Sequence, residues 1–233
     1  AFQAANRIVA TWTENGRWRM GLISLEPRRL EVLDLTLDPL ESLVATSRAA
    51  YFVGGSPTEG PAITRVTFGG MEAEILRRSR EDVLEAAYVS TPEAVTFDSA
   101  GQQTHAFYYA PTNPGFVAPA GTLPPLLVLS HGGPTGATDP VFDPEVQFWT
   151  TRGFAVVDVN YGGSTGYGRA YRRRLNGQWG IVDVRDAVNA ANYLVAAGKA
   201  DPARLITRGG SAGGYTTLAA LTFHATFTAG ASY

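Results

Sequence analysis

The sequence contains no cysteine. That removes disulfides and thiolate metal sites and suits a reducing compartment, so a cytoplasmic protein is expected. Histidine is scarce: the three in the chain, His105, His131 and His224, stand far apart. No metal and no cofactor are therefore expected. No apolar run approaches the length of a membrane span, and residues 1–10 carry neither a basic start nor an apolar stretch before a cleavage site, so no membrane association is expected. Charge of one sign is also missing. The formal net charge is −2, which gives no general pull toward nucleic acid. Against these absences, 45% of the 233 residues are hydrophobic and 17% charged, ample material for the cores of one or two globular domains.

The first third reads as short strands: 7–11, 19–24, 31–35, 43–45, 49–53, 63–68 and 73–77. The dipeptides Asn15-Gly16, Gly54-Gly55 and Gly69-Gly70 separate them as hairpin signals. Ile8-Val9-Ala10 recurs as Ala50-Tyr51-Phe52, Met20-Gly21-Leu22-Ile23 as Thr64-Arg65-Val66-Thr67, and Glu31-Val32-Leu33 as Glu74-Ile75-Leu76. The spacing is roughly 40 to 45 residues, that of a four-stranded propeller blade. Two such repeats cannot close a propeller, and a small antiparallel sheet belonging to one domain is the competing reading.

From about Glu85 the texture changes. Strands over 94–97 and 104–110 flank a turn at Ser99-Ala100-Gly101, and a loop rich in proline and glycine covers 111–125. Strand, helix, strand, helix, strand, helix then follow. Leu126-Leu127-Val128-Leu129 and Ala155-Val156-Val157-Asp158-Val159 are short apolar strands of the kind buried in parallel sheets. Between them Asp143 is placed to cap a helix with Pro144 in its first turn. A longer helix is expected over 182–197, ended by Gly198. The alternation predicts a doubly wound α/β sheet with right-handed crossovers. The domain boundary falls between 82 and 83.

Gly209-Gly210-Ser211-Ala212-Gly213-Gly214 sits between the strand at Leu205-Ile206-Thr207 and a helix, the setting of a serine nucleophile on a strand-turn-helix elbow. Gly209 and Gly213 are expected where a Cβ would clash. Ser211 is the candidate nucleophile; the competing reading is a glycine-rich turn whose serine caps the helix. Ser130-His131-Gly132-Gly133-Pro134 follows the 126–129 strand, in the place of an oxyanion loop, and makes the backbone N–H groups of Gly133 and Ala212 the candidate oxyanion donors. His131 lies on that loop and precedes the nucleophile, which favours loop support over a role as base. Asp183 and Asp186 read as acidic residues complementing a helix dipole, Arg172-Arg173-Arg174 as a solvated face, and His224 as a cation at a helix end.

Leu-Ser-His-Gly-Gly-Pro at 129–134, Asp-Val-Asn-Tyr-Gly-Gly-Ser-Thr-Gly-Tyr-Gly at 158–168, Gln-Trp-Gly-Ile-Val-Asp-Val-Arg-Asp at 178–186 and the 209–214 glycine motif together resemble the prolyl oligopeptidase family of serine peptidases, in its acylaminoacyl-peptidase-like branch. The resemblance implies that residues 1–82 are the last part of a β-propeller and 83–233 the N-terminal portion of an α/β-hydrolase domain. It matches Ser211 to the family nucleophile and Gly133 and Ala212 to the main-chain oxyanion donors. Where some relatives carry an oxyanion tyrosine, this chain has His131. The family's aspartate and histidine would lie beyond Tyr233, so the chain resembles a middle piece. Short peptides are the implied substrates, with the propeller as a filter, and a homo-oligomer the implied assembly. An esterase-type hydrolase and a non-catalytic binding module remain open.

Overall fold

The computed structural model describes residues 1–70, 72–81 and 84–233, and these divide into two units, Ala1–Val83 with Pro140–Asp143, and Leu84–Asp139 with Pro144–Tyr233. The boundary read at 82/83 lies outside the described residues. The strands of the first unit are β1 (Phe2–Ala4), β2 (Arg7–Glu14), β3 (Arg17–Leu25), β4 (Arg28–Leu33), β5 (Asp38–Ala45), β6 (Ala49–Ser56), β7 (Glu59–Thr67) and β8 (Ala73–Arg78). They form two antiparallel sheets ordered β1-β2-β3-β4 and β5-β6-β7-β8, the four-stranded build of propeller blades. Alternate side chains from both sheets meet in one core: Val9, Met20, Leu22 and Leu33 from the first, Ala50, Phe52 and Val66 from the second. Arg17 adds a fork to buried Asp38, with Nη2 at 2.7 Å from Oδ1 and Nε at 2.9 Å from Oδ2, tying the start of β3 to the start of β5.

Two sequence expectations fail here for identifiable reasons. Asn15 and Gly16 do turn the chain, with φ of 52° and 75° as a type I′ hairpin needs. Gly54 and Gly55, by contrast, lie inside β6. A Cβ on Gly54 would stand 2.7 Å from the Phe52 ring and one on Gly55 2.5 Å from Val141, so these glycines serve close packing rather than turning. The repeat is also slipped by one residue in its first segment. Val9 is the buried residue of Ile8-Val9-Ala10, whereas Ala50 and Phe52 flank a half-buried Tyr51. A slip of one exchanges the two faces of a strand.

The second unit is built on β9 (Glu93–Asp98), β10 (Gln103–Tyr109), β11 (Leu126–Ser130), β12 (Ala155–Asn160), β13 (Leu205–Gly209) and β14 (Ala229–Ser232), in the order β14-β13-β11-β12-β10-β9. From β12 to β14 neighbours run parallel, while β10 pairs antiparallel with both β9 and β12. The helices are α1 (Pro144–Thr150), α2 (Gly168–Arg172), α3 (Val182–Ala196) and α4 (Ala212–Phe223). Leu127 and Val156 face Val146 of α1, and Leu126, Val128 and Val157 on the other face meet Leu194 of α3 and Ala220 of α4. Helices thus cover both faces, which is why β11 and β12 are apolar on both faces over most of their length. Gly198, with φ 67°, follows the end of α3 as expected. This is the doubly wound α/β-hydrolase sheet. No helix among the described residues is long and apolar enough to cross a membrane.

Candidate active site

The chain winds from β11 through α1 to β12 on one side, then returns through α3 to β13 on the other side of β11. The crevice between the carboxyl ends of β11 and β13 is therefore a topological switch point, the place where open α/β sheets bind ligands. Ser130 pairs in register with Gly209 at those ends, so the loop after β11 and the turn after β13 begin side by side.

In that turn Ser211 has φ 54° and ψ −119°, a conformation costly for any L side chain. Its N–H donates to the Tyr233 carbonyl at 2.8 Å, and its carbonyl accepts the Tyr215 N–H at 3.2 Å. The crowding expected around it is present. A Cβ on Gly209 would overlap the carbonyl of Gly213, and one on Gly213 would overlap the Ser130 carbonyl oxygen and stand 2.8 Å from its carbon. The glycine loop closes on the elbow from the other side: a Cβ on Gly132 would be 3.5 Å from the Ser211 Cβ. Ser211 itself is exposed at the head of α4. Among the described residues, the N–H groups of Gly133 and Ala212 donate to no protein acceptor. Two donors without a protein acceptor thus lie in the turn that carries Ser211 and in the glycine loop that approaches it, with the N-terminal end of α4 adding its positive dipole end.

Both ring nitrogens of His131 are engaged elsewhere. Its ring stacks on Tyr161 at 4.2 Å between centroids, Nδ1 lies 3.0 Å from the Gly132 carbonyl and Nε2 lies 2.7 Å from the Ser164 hydroxyl. His105 stacks on Tyr167 within β10, and His224 is the exposed residue that ends α4. Among the described residues none of the three histidines hydrogen-bonds to Ser211.

Burial holds the His131 pKa below its ordinary value, with the Gly132 carbonyl and Asp183 opposing, and burial followed by Arg174 lowers that of His105. The sign follows directly. A histidine whose folded pKa is depressed binds protons less readily than in the unfolded chain, so it stabilises the fold fully above about pH 6.5 and less as pH falls through that value toward the folded one. Thermal melts at pH 7.5 and 5.5 should show a loss of stability on acidification, and His131→Asn should shrink that loss.

Asp183 lies in the first turn of α3, at the positive end of its dipole as expected, and both Asp183 and Asp186 are buried. Asp183 accepts from the Gly180 N–H at 2.6 Å and the Thr216 hydroxyl at 2.5 Å, joining α3 to the nucleophile helix. Asp186 accepts from the Ser99 hydroxyl at 2.5 Å and the Gly162 N–H at 2.7 Å. Removing the Asp186 carboxylate leaves these donors buried and unpaired. Asp186→Ala should therefore cost about 2–3 kcal/mol, read as a lower urea midpoint at unchanged m-value.

The sequence reading also passed over Asn160. Its amide accepts from the Thr138 N–H at 2.9 Å and donates to the Thr138 carbonyl at 3.0 Å, anchoring the far end of the glycine loop to β12. Of the arginine run, Arg172 and Arg173 are exposed, while Arg174 lies over the Tyr171 ring and donates to the Gln103 carbonyl. A groove of about 1490 Å³ lined by Pro124, Pro125, Phe154, Arg204 and Thr228 opens at the amino ends of the parallel strands, the end opposite Ser211.

A strained serine elbow, a glycine loop with a free N–H and a switch-point crevice are features shared with α/β-hydrolases of the serine type. Residues 140–233 match the model of the prolyl oligopeptidase family. Over those residues the chain resembles that family. It superposes on a puromycin-hydrolyzing peptidase of Mycobacterium tuberculosis with a TM-score of 0.96 and 45% identity, covering 100% of this chain and 36% of that one. It is 34% identical over 150 residues to dipeptidyl peptidase family member 6 of Caenorhabditis elegans, covering 63% of this chain and 19% of the relative. It is 35% identical over 97 residues to the acylamino-acid-releasing enzyme of Arabidopsis thaliana, covering 42% and 13%. The chain thus spans roughly a third of that solved relative and a fifth or less of these curated ones.

Proposed function

We propose that the protein carrying this chain is a serine-type peptidase that hydrolyses short peptides, as an oligopeptidase or exopeptidase of the acylaminoacyl-peptidase kind, with Ser211 as nucleophile. The observation that carries the reading is Ser211 held at positive φ and exposed, with the N–H groups of Ala212 next to it and of Gly133 on the adjoining glycine loop donating to no protein acceptor among the described residues. In this mechanism the Ser211 hydroxyl attacks a peptide carbonyl carbon and gives its proton to a histidine supplied from outside residues 1–233. The two N–H groups stabilise the oxyanion. Collapse of the tetrahedral intermediate breaks the C–N bond, the histidine returns the proton to the leaving amine, and water then hydrolyses the acyl-enzyme. His131 supports the loop rather than serving as base, a role its distance-limited contacts with Gly132, Tyr161 and Ser164 favour. The absence of cysteine favours a cytoplasmic setting.

The test is an intact mass of the purified protein before and after a fluorophosphonate probe, with peptide mapping of the adduct. One adduct on Ser211 is the expected result. An unlabelled Ser211 in a folded protein, or an adduct elsewhere, overturns the assignment.

A further inference from the structure

The oxyanion donor proposed at Gly133 has a weakness built into its own sequence. A peptide between two glycines has no Cβ on either side to oppose rotation, so its N–H can turn away from the crevice at little cost. Because a peptide is a rigid plane, the Gly132 carbonyl and the Gly133 N–H are two ends of one unit, and whatever holds the carbonyl aims the N–H.

The Gly132 carbonyl is held by the ring of His131, 3.0 Å from Nδ1. A carbonyl only accepts, so Nδ1 carries a proton, and burial disfavours a second proton on the ring, which leaves Nε2 with a bare lone pair. That lone pair faces the Ser164 hydroxyl at 2.7 Å, which must donate to it. Ser164 is fully buried, and its N–H donates to the Tyr161 carbonyl at 2.9 Å. The Tyr161 hydroxyl donates to the His131 carbonyl at 3.2 Å, beneath the stacked ring. Next along the chain, the Thr165 N–H donates to the Gly136 carbonyl at 2.8 Å, and the Gly136 N–H donates to the Gly133 carbonyl at 2.5 Å. With a single ring proton at Nδ1, the Nδ1–H donates to the Gly132 carbonyl and the Ser164 hydroxyl donates to Nε2.

We infer that Ser164 is a positioning residue for the reaction: by donating to Nε2 it keeps His131 in the Nδ1–H tautomer that pins the Gly132 carbonyl and aims the Gly133 N–H. The inference rests on the reading of Gly133 as an oxyanion donor. Without the hydroxyl, His131 is free to place its proton on Nε2, the preferred site of a free imidazole. Its bare Nδ1 would then face the Gly132 carbonyl as one acceptor against another, and the glycine peptide would turn.

The test uses the intact protein and four forms: wild type, Ser164→Ala, His131→Asn, and the double variant. An asparagine at 131 carries its amide protons whatever its neighbour does, so it needs no lock. Two readouts are taken, the rate constant for fluorophosphonate labelling of Ser211 and the tautomer of His131 by NMR of isotope-labelled histidine. Ser164→Ala is expected to slow labelling by about 10- to 100-fold, part of the loss that follows removal of a whole oxyanion donor. It should also shift His131 away from the Nδ1–H form. In the His131→Asn background the same change should cost less than about twofold, since the two residues act through one contact. An equal cost in both backgrounds means that Ser164 acts by packing alone and overturns the inference, as does an unchanged tautomer. A wild-type protein that does not label at Ser211 is a different failure, that of the nucleophile assignment itself.

Discussion

Ser211→Gly should yield a protein that is more stable and inert. Turnover of a short peptide is expected to fall by about a millionfold, the scale on which removal of a nucleophilic serine acts in other enzymes of this chemistry. The stability gain comes from the backbone. At φ 54° and ψ −119° the serine Cβ is held in a conformation that glycine adopts freely, and such strain costs about 1–3 kcal/mol. Glycine also enlarges the entropy of the unfolded chain, which takes back about 0.5–1 kcal/mol. A net gain of about 1 kcal/mol remains, to be read from urea unfolding beside wild type. Ser211→Ala provides the comparison: equally inert, it keeps the Cβ and should show no such gain. If the two variants unfold at the same midpoint, the strain assigned to residue 211 is not there.

Gly213→Ala should have the larger structural effect. The added methyl would occupy the position of the Ser130 carbonyl oxygen, and the His131 carbonyl oxygen would be only 3.0 Å away. Both are backbone atoms at the end of β11, so no side chain can rotate to make room. Relief requires α4 to move away from the glycine loop, opening the gap between Ser211 and Gly133 on which the oxyanion site depends. Overpacking of this kind costs about 1–3 kcal/mol or more, and the displaced donors should slow labelling by about 100- to 1000-fold. Gly214→Ala is a graded control. There the nearest atom is the Ser232 hydroxyl at 2.8 Å, the end of a side chain that can turn aside. Labelling of Gly214→Ala should exceed that of Gly213→Ala; the reverse order would contradict the crowding argument.

The elbow and the glycine loop were legible in the sequence because both depend on local backbone rules. A strand, a pair of glycines around one serine and a following helix specify a turn without reference to distant residues. The apolar β11 and β12 were legible for a similar reason: a strand covered on both faces has no polar alternation to lose. The burial of Asp183 and Asp186 was not legible because their partners are remote. Thr216 and Ser99 lie 33 and 87 residues away, and nothing in the local pattern separates a buried carboxylate from one complementing a helix dipole. Ser164 escaped for the same reason, its partner being 33 residues upstream. Gly54 and Gly55 show the converse error. A glycine pair after an apolar run carries the same local signal whether the chain turns or packs tightly against a neighbour, and here the neighbours were Phe52 and Val141.

The hydrogen bond from the Ser211 N–H to the Tyr233 carbonyl has a consequence for biosynthesis. The serine leaves the ribosome before the strand that holds its backbone does. Until β14 has paired with β13, the residue 211 N–H lacks its Tyr233 acceptor and one restraint on the strained conformation is missing. The geometry of the turn is therefore completed by a downstream strand rather than by the serine's own synthesis.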